Sequence, residues 1–86
     1  MGSDSIPVED VGRWIRSQQQ AGRSEVRLLS PAAPGDLFRM AFDRFVREFG
    51  QPGPTREVDV AVWDFDYYQL SLRLEPHGVV LALDRG

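Results

Sequence analysis

Four phenylalanines, Phe38, Phe42, Phe45 and Phe49, recur at steps of four, three and four residues. That spacing puts all four rings on one stripe of an α-helix and fits no β-strand, whose side chains change face at every residue. Leu37, Met40, Ala41 and Val46 widen the stripe, and the opposite side carries the i,i+4 pairs Arg39/Asp43, Asp43/Arg47 and Arg44/Glu48. Asp36 is placed to cap the helix, Gly50 to end it and Pro52 to prevent its continuation. A helix over residues 36–49 is therefore predicted. Its aromatic face is expected to be core and not a partner groove, because a chain of 86 residues has no other aromatic mass to close around.

Past the Pro/Gly loop at residues 51–56 the period drops to two. Val58, Val60 and Val62 alternate with Glu57, Asp59, Ala61 and Trp63. Tyr68, Leu70, Leu72 and Leu74 alternate with Tyr67, Gln69, Ser71, Arg73 and Glu75, and Val79 to Asp84 reads as a last strand. Asp64-Phe65-Asp66 and Pro76-His77-Gly78 are turn sequences. Upstream, residues 24–30 read as a short strand with Val26 and Leu28 on one face, closed by Pro31, Pro34 and Gly35. From Pro7 onward Val8, Val11, Trp14, Ile15 and Gln18 keep a narrow helical stripe. Ser5 or Asp4 is its expected cap and Gly22 its stop, while Gly12 inside it costs about 1 kcal/mol relative to alanine. The expected architecture is α+β: two helices packed on a small, mainly antiparallel single-layer sheet, in the order α-β-α-β-β-β. Residues 1–5 are expected to be a flexible leader and residues 6–86 a single domain.

Charge narrows the function classes. All ten basic residues are arginine, with no lysine or asparagine in the sequence, a bias that GC-rich coding produces and that points to a bacterium or its phage. The net charge is −3, and it is uneven: residues 1–56 carry +1 and residues 57–86 carry −4. Phosphate backbones are repelled by the second part, so nucleic acid would have to meet Arg13, Trp14, Arg16, Arg23 and Arg27. Arg13 and Arg16 read more simply as the wet face of an amphipathic helix. There is no cysteine, which removes disulfides, thiolate metal sites and thiol catalysis. No apolar run approaches the roughly 20 residues that cross a bilayer. The acidic start, Met1 to Asp10, has no secretory h-region, so a cytoplasmic protein is expected.

No catalytic motif is found: no nucleophile elbow, no phosphate-binding glycine loop, no dinucleotide fingerprint. Asp64 and Asp66 could share a divalent cation, but Asp is equally a turn residue, and a specific site needs more oxygens than one turn supplies. His77, the only histidine, stands between Pro76 and Gly78 with nothing in the sequence to orient it. The reading is a non-enzyme with no cofactor and no metal.

The expected binding feature is the second face of the meander. If Val58, Val60 and Val62 face the phenylalanine helix with the leucines, then Ala61, Trp63, Phe65 and Tyr67 face outward. They would be ringed by Glu57, Asp59, Asp64, Asp66, Arg73 and Glu75. Large aromatics in a polar rim are what interface hot spots are made of. The expected partner-binding residues are Trp63, Asp64, Phe65, Asp66, Tyr67, Glu57, Asp59 and Arg73. The competing expectation is that Val11, Trp14 and Ile15 of the first helix fold over that face. The function expected is a small protein-binding module of accessory, regulatory, immunity-like or inhibitor type, meeting a partner with a basic patch. The alternatives are self-association through Val79–Leu83 as an edge strand, and nucleic-acid binding through the arginine-rich first half.

Overall fold

The protein is described by a computed structural model over residues 5–18 and 22–85. Strand β1 (Ser5–Pro7) leads through a 3-10 turn (Val8–Asp10) into helix α1 (Val11–Ser17), followed by β2 (Arg23–Leu29) and α2 (Pro34–Phe49). A meander of β3 (Val60–Asp64), β4 (Tyr68–Glu75) and β5 (Gly78–Arg85) completes the chain. The five strands form one mixed sheet in the order β1-β2-β5-β4-β3, with β1 parallel to β2 and every other pair antiparallel. The α+β class and the mainly antiparallel sheet agree with the sequence reading, and β1 is an addition to it.

The phenylalanine stripe forms its helix, beginning two residues earlier than expected. Pro34 occupies the first turn, where a missing N–H costs nothing, and the Leu37 N–H donates to the Ala33 carbonyl at 2.9 Å. Asp36 is therefore not the cap. It lies inside the first turn, where its carboxylate faces the positive end of the helix. Of the three expected surface pairs, Arg44–Glu48 closes at 3.5 Å among the described residues. The helix ends at Gly50, whose φ of 89° and ψ of −166° lie in a region that side-chain-bearing residues avoid. Its N–H donates to the Val46 carbonyl at 2.9 Å. A Cβ there would meet nothing within 4 Å, so the constraint is purely backbone. Gly50→Ala is expected to cost about 1–3 kcal/mol. Urea denaturation would check this, and a change under 0.5 kcal/mol, within ordinary surface-substitution noise, would contradict the strained cap.

At the other end of the chain the expected helix start is corrected, while residues 1–4 of the expected leader lie outside the described residues and Ser5 begins a strand. Ser5, Ile6 and Pro7 pair with Arg27, Leu28 and Leu29. Pro7 has no N–H to offer a ladder, which suits an edge strand, and its φ of −71° and ψ of 158° are extended. Among the described residues neither Ser5 nor any other side chain caps the helical segment, and Asp4 lies outside them. Helix α1 stops at Ser17, before the expected Gly22. The Gln18 N–H closes the end on the Trp14 and Ile15 carbonyls, and residues 19–21 lie outside the described residues.

Register decides which side of the sheet is core. Val26 stands opposite Leu81, Leu81 opposite Leu72, and Leu72 opposite Ala61; Leu83, Leu70 and Trp63 form the next row. All of these are buried together with Val11 and Ile15 of α1 and Leu37, Ala41 and Phe45 of α2. Both helices therefore cover the same face, and among the described residues the other face has no helix over it.

Candidate functional site

The meander's faces are the reverse of expectation on β3. Ala61 and Trp63 point to α2, with Trp63 only 3% exposed. Val60 and Val62 point to the open side, and Val58, which precedes the strand, is 92% exposed. The cause is pairing. The β4 leucines face the helix, and Ala61 and Trp63 are their cross-strand partners, so these must face it too. The indole stands 5.5 Å from the Phe45 ring centre, edge-on at 79°, and 6.0 Å from that of Phe42. Its Nε1–H donates to the Gly50 carbonyl at 2.9 Å, tying β3 to the end of α2. Trp63 is thus withdrawn from the expected binding set. Helix α1, expected as a possible cover for the outward aromatics, instead joins α2 on the core side.

Phe65 follows Trp63 inward. It is half-buried, 5.3 Å from Phe49 and 4.8 Å from Tyr68. Contacts run without a break from Phe38 through Phe42, Trp63, Phe45, Phe49 and Phe65 to Tyr68. Trp14 also packs against the core. Tyr67 is the one aromatic left in solvent, at 79% exposure.

Tyr67 sits in the bend joining β3 to β4, closed by a hydrogen bond from the Phe65 N–H to the Tyr68 carbonyl at 2.8 Å. Asp64 and Asp66 are exposed on either side of Phe65, and Asp84 borders the same shallow depression of about 220 Å³. Asp64 Oδ1 accepts from Gln69 Nε2 at 2.7 Å. Among the described residues no cation lies within salt-bridge distance of Asp64 or Asp66. The depression is therefore an acidic hollow beside one free phenol.

The remaining expected site residues are elsewhere. Glu57 and Asp59 are exposed at the opposite end of β3, about 17 Å from Asp64 by strand rise. Arg73, opposite Val60, lies on the open face of the sheet. The expected eight-residue patch is thus divided, with Asp64, Phe65, Asp66 and Tyr67 kept together at the bend. The arginines of the first half are divided as well. Arg13 and Arg16 are exposed on α1, on the helical side, and Arg23 and Arg27 are on the open face.

The edge-strand expectation for Val79–Leu83 is corrected outright, because β5 is the central strand, paired with β2 on one side and β4 on the other. The true edge at β3 is closed by the 51–56 loop. The Gly53 N–H donates to the Val62 carbonyl at 2.7 Å, and Thr55 Oγ1 donates to the Val60 carbonyl at 3.1 Å.

Sequence reasoning missed one apolar feature. Pro7, Val8, Leu29, Pro31, Leu37 and Met40 line an open cleft of about 480 Å³ where β1 and β2 end. Leu29 and Met40 are exposed there, although no sequence period links residues so far apart. His77 lies exposed in the turn between β4 and β5. Among the described residues no three His, Asp or Glu side chains are placed to hold a metal, and no helix is long and apolar enough to cross a membrane. Compared with protein-family models, curated proteins and solved structures, the chain finds no match.

Proposed function

We propose that this chain is a small, non-catalytic protein-binding module of bacterial or phage origin, working in the cytoplasm as an accessory, regulatory or inhibitory protein. Its docking point is the β3–β4 bend, where Tyr67 is the anchor and Asp64, Asp66 and Asp84 form an acidic rim. The partner presents a basic patch. The observation that supports this most is the sorting of the aromatics: eight of the nine pack into the interior and Tyr67 alone stands out in water. An exposed phenol has few rotors to immobilise, so its contact area is gained at low entropic cost. Carboxylates around it steer a cationic partner and raise the association rate more than the final affinity.

The test is comparative affinity capture from the host, with wild type against Tyr67→Ala and Asp64→Asn/Asp66→Asn. Both variants are expected to keep the wild-type melting temperature within about 4 °C, because surface substitutions away from packed features change stability by under 0.5 kcal/mol. Tyr67→Ala is expected to weaken binding of the captured protein at least tenfold, as truncated anchors do, on the order of 1.4 kcal/mol or more. The double carboxylate variant is expected to slow association and flatten its salt dependence. Equal affinity for all three proteins would refute the assignment of the bend.

A further inference from the structure

The central strand carries a pattern that one covered face does not account for. Val79, Val80, Leu81, Ala82 and Leu83 are apolar without interruption, and β3 continues the pattern with Val60, Ala61, Val62 and Trp63. A continuous apolar run is the signature of a strand buried on both faces, whereas a half-solvated antiparallel strand alternates with polar residues. Here Val79, Leu81, Leu83, Ala61 and Trp63 meet the helices, while Val80, Ala82, Val60 and Val62 lie on the face that no helix covers among the described residues.

The charges around this apolar centre are arranged in rows. Across the open face Arg27 stands opposite Val80, Val80 opposite Arg73, and Arg73 opposite Val60. The adjacent row is Glu25, Ala82, Ser71 and Val62. Consider a two-fold axis in the interface plane, crossing the strands between these rows. It lays Arg27 over Glu25 of a second copy, and the reverse, while Val80 meets Ala82, Arg73 meets Ser71 and Val60 meets Val62. A two-fold axis running along β5 instead would bring Arg27 onto Arg73, a like-charge contact. The pattern is self-complementary about the first axis and self-repelling about the second.

We propose that the open face of this sheet is covered by the same face of a second copy, in an antiparallel face-to-face dimer centred on Val80 and Ala82 and bordered by two Arg27–Glu25 ion pairs. Stacked sheets pack about 10 Å apart, which the valine and alanine side chains can fill. The five strands hold 31 residues; at about 3.3 Å of rise per residue and about 4.8 Å between strands they present roughly 500 Å² per copy, so the dimer buries on the order of 1,000 Å² in total. That is the lower limit for a specific interface, the size class of weak and transient contacts, which a concentration series is suited to detect. Within each copy Arg23 competes for Glu25, at 3.3 Å, but this pair is exposed and is expected to contribute little.

Sedimentation equilibrium over about 5 μM to 1 mM is the test, on wild type, Arg27→Glu, Glu25→Arg and the equimolar mixture of these two variants. Wild type is expected to pass from 9.7 kDa towards twice that mass. Each variant alone is expected to remain monomeric at least tenfold higher in concentration, because like charges then face each other across the axis. The mixture is expected to dimerise again, since one variant then offers two acids where the other offers two bases. Unchanged far-UV circular dichroism verifies that both side chains are dispensable for folding. A wild type that stays monomeric throughout overturns the proposal, as does a dimer that neither variant weakens or a mixture that stays monomeric.

Discussion

Replacing Trp63 by alanine is expected to lower the folding free energy by about 3–5 kcal/mol, the range for emptying an aromatic-sized space in a core. The ring is 3% exposed, meets Phe42 and Phe45, and bonds through Nε1 to the carbonyl that ends α2. A domain of this size has on the order of 4–13 kcal/mol of stability in total, so the substitution removes about a quarter of it or more. The melting temperature is expected to fall by roughly 15–30 °C. Trp63→Phe separates the contributions. It keeps an aromatic body but loses the hydrogen bond, and its smaller ring leaves part of the space unfilled, so an intermediate loss is expected. Thermal unfolding followed at 222 nm reads both. A Trp63→Ala protein that melts within about 5 °C of wild type would mean that the indole is not packed under α2, because a loss of that size corresponds to only about 1 kcal/mol. The same arithmetic explains why Trp63 is a poor probe of partner binding. Its truncation reports on the core, whereas Tyr67, four residues later, reports on the surface.

Helix α2 was legible because its signal is local and redundant: four rings on one stripe, a glycine at the C′ position and a proline beyond it all point to the same element. The leucine face of β4 was legible for a similar reason, since only one side of that strand is strongly apolar. Strand β3 was not, because both its sides are apolar. Alternation announces a strand but cannot say whether Val60 and Val62 or Ala61 and Trp63 go inward, and here the partners on β4 decide. Strand β1 was invisible because three residues carry no period, and its pairing with Arg27–Leu29 is set by the crossover through α1. Of the site, the turn at Asp64–Asp66 followed from the sequence, and so did the placing of Tyr67 on the side of β4 away from the leucines, but whether the first helix would cover it did not. The burial of Trp63 and Phe65 did not, because it depends on where Phe42, Phe45 and Phe49 end up. The place of β5 depends on a pairing with β2 some fifty residues earlier in the chain, which neither hairpin signals nor turn chemistry can reveal.

Ending the chain at His77 is expected to abolish the fold. Strand β5 is the last in sequence and the middle one in space, so its removal breaks both the β2–β5 and the β4–β5 ladders. What remains of the sheet is β1 with β2 and β3 with β4, two separate two-stranded ribbons, and such ribbons are marginal in water on their own. The core loses Val79, Leu81 and Leu83, all buried in the one cluster that α1 and α2 share. Far-UV circular dichroism is expected to show no cooperative melt. The contrasting truncation begins the chain at Val8. It removes an edge strand of three residues and leaves β2-β5-β4-β3 paired throughout, so a cooperative transition is expected to survive at a lower temperature. If instead the chain ending at His77 melts cooperatively and the chain beginning at Val8 does not, the central placement of β5 is wrong. The consequence for folding is that long-range pairing must wait for the C-terminal strand. Until β5 inserts, β2 has only β1 beside it and the leucines of β4 have only half of their sheet. Closure of the core and completion of the sheet are therefore one event.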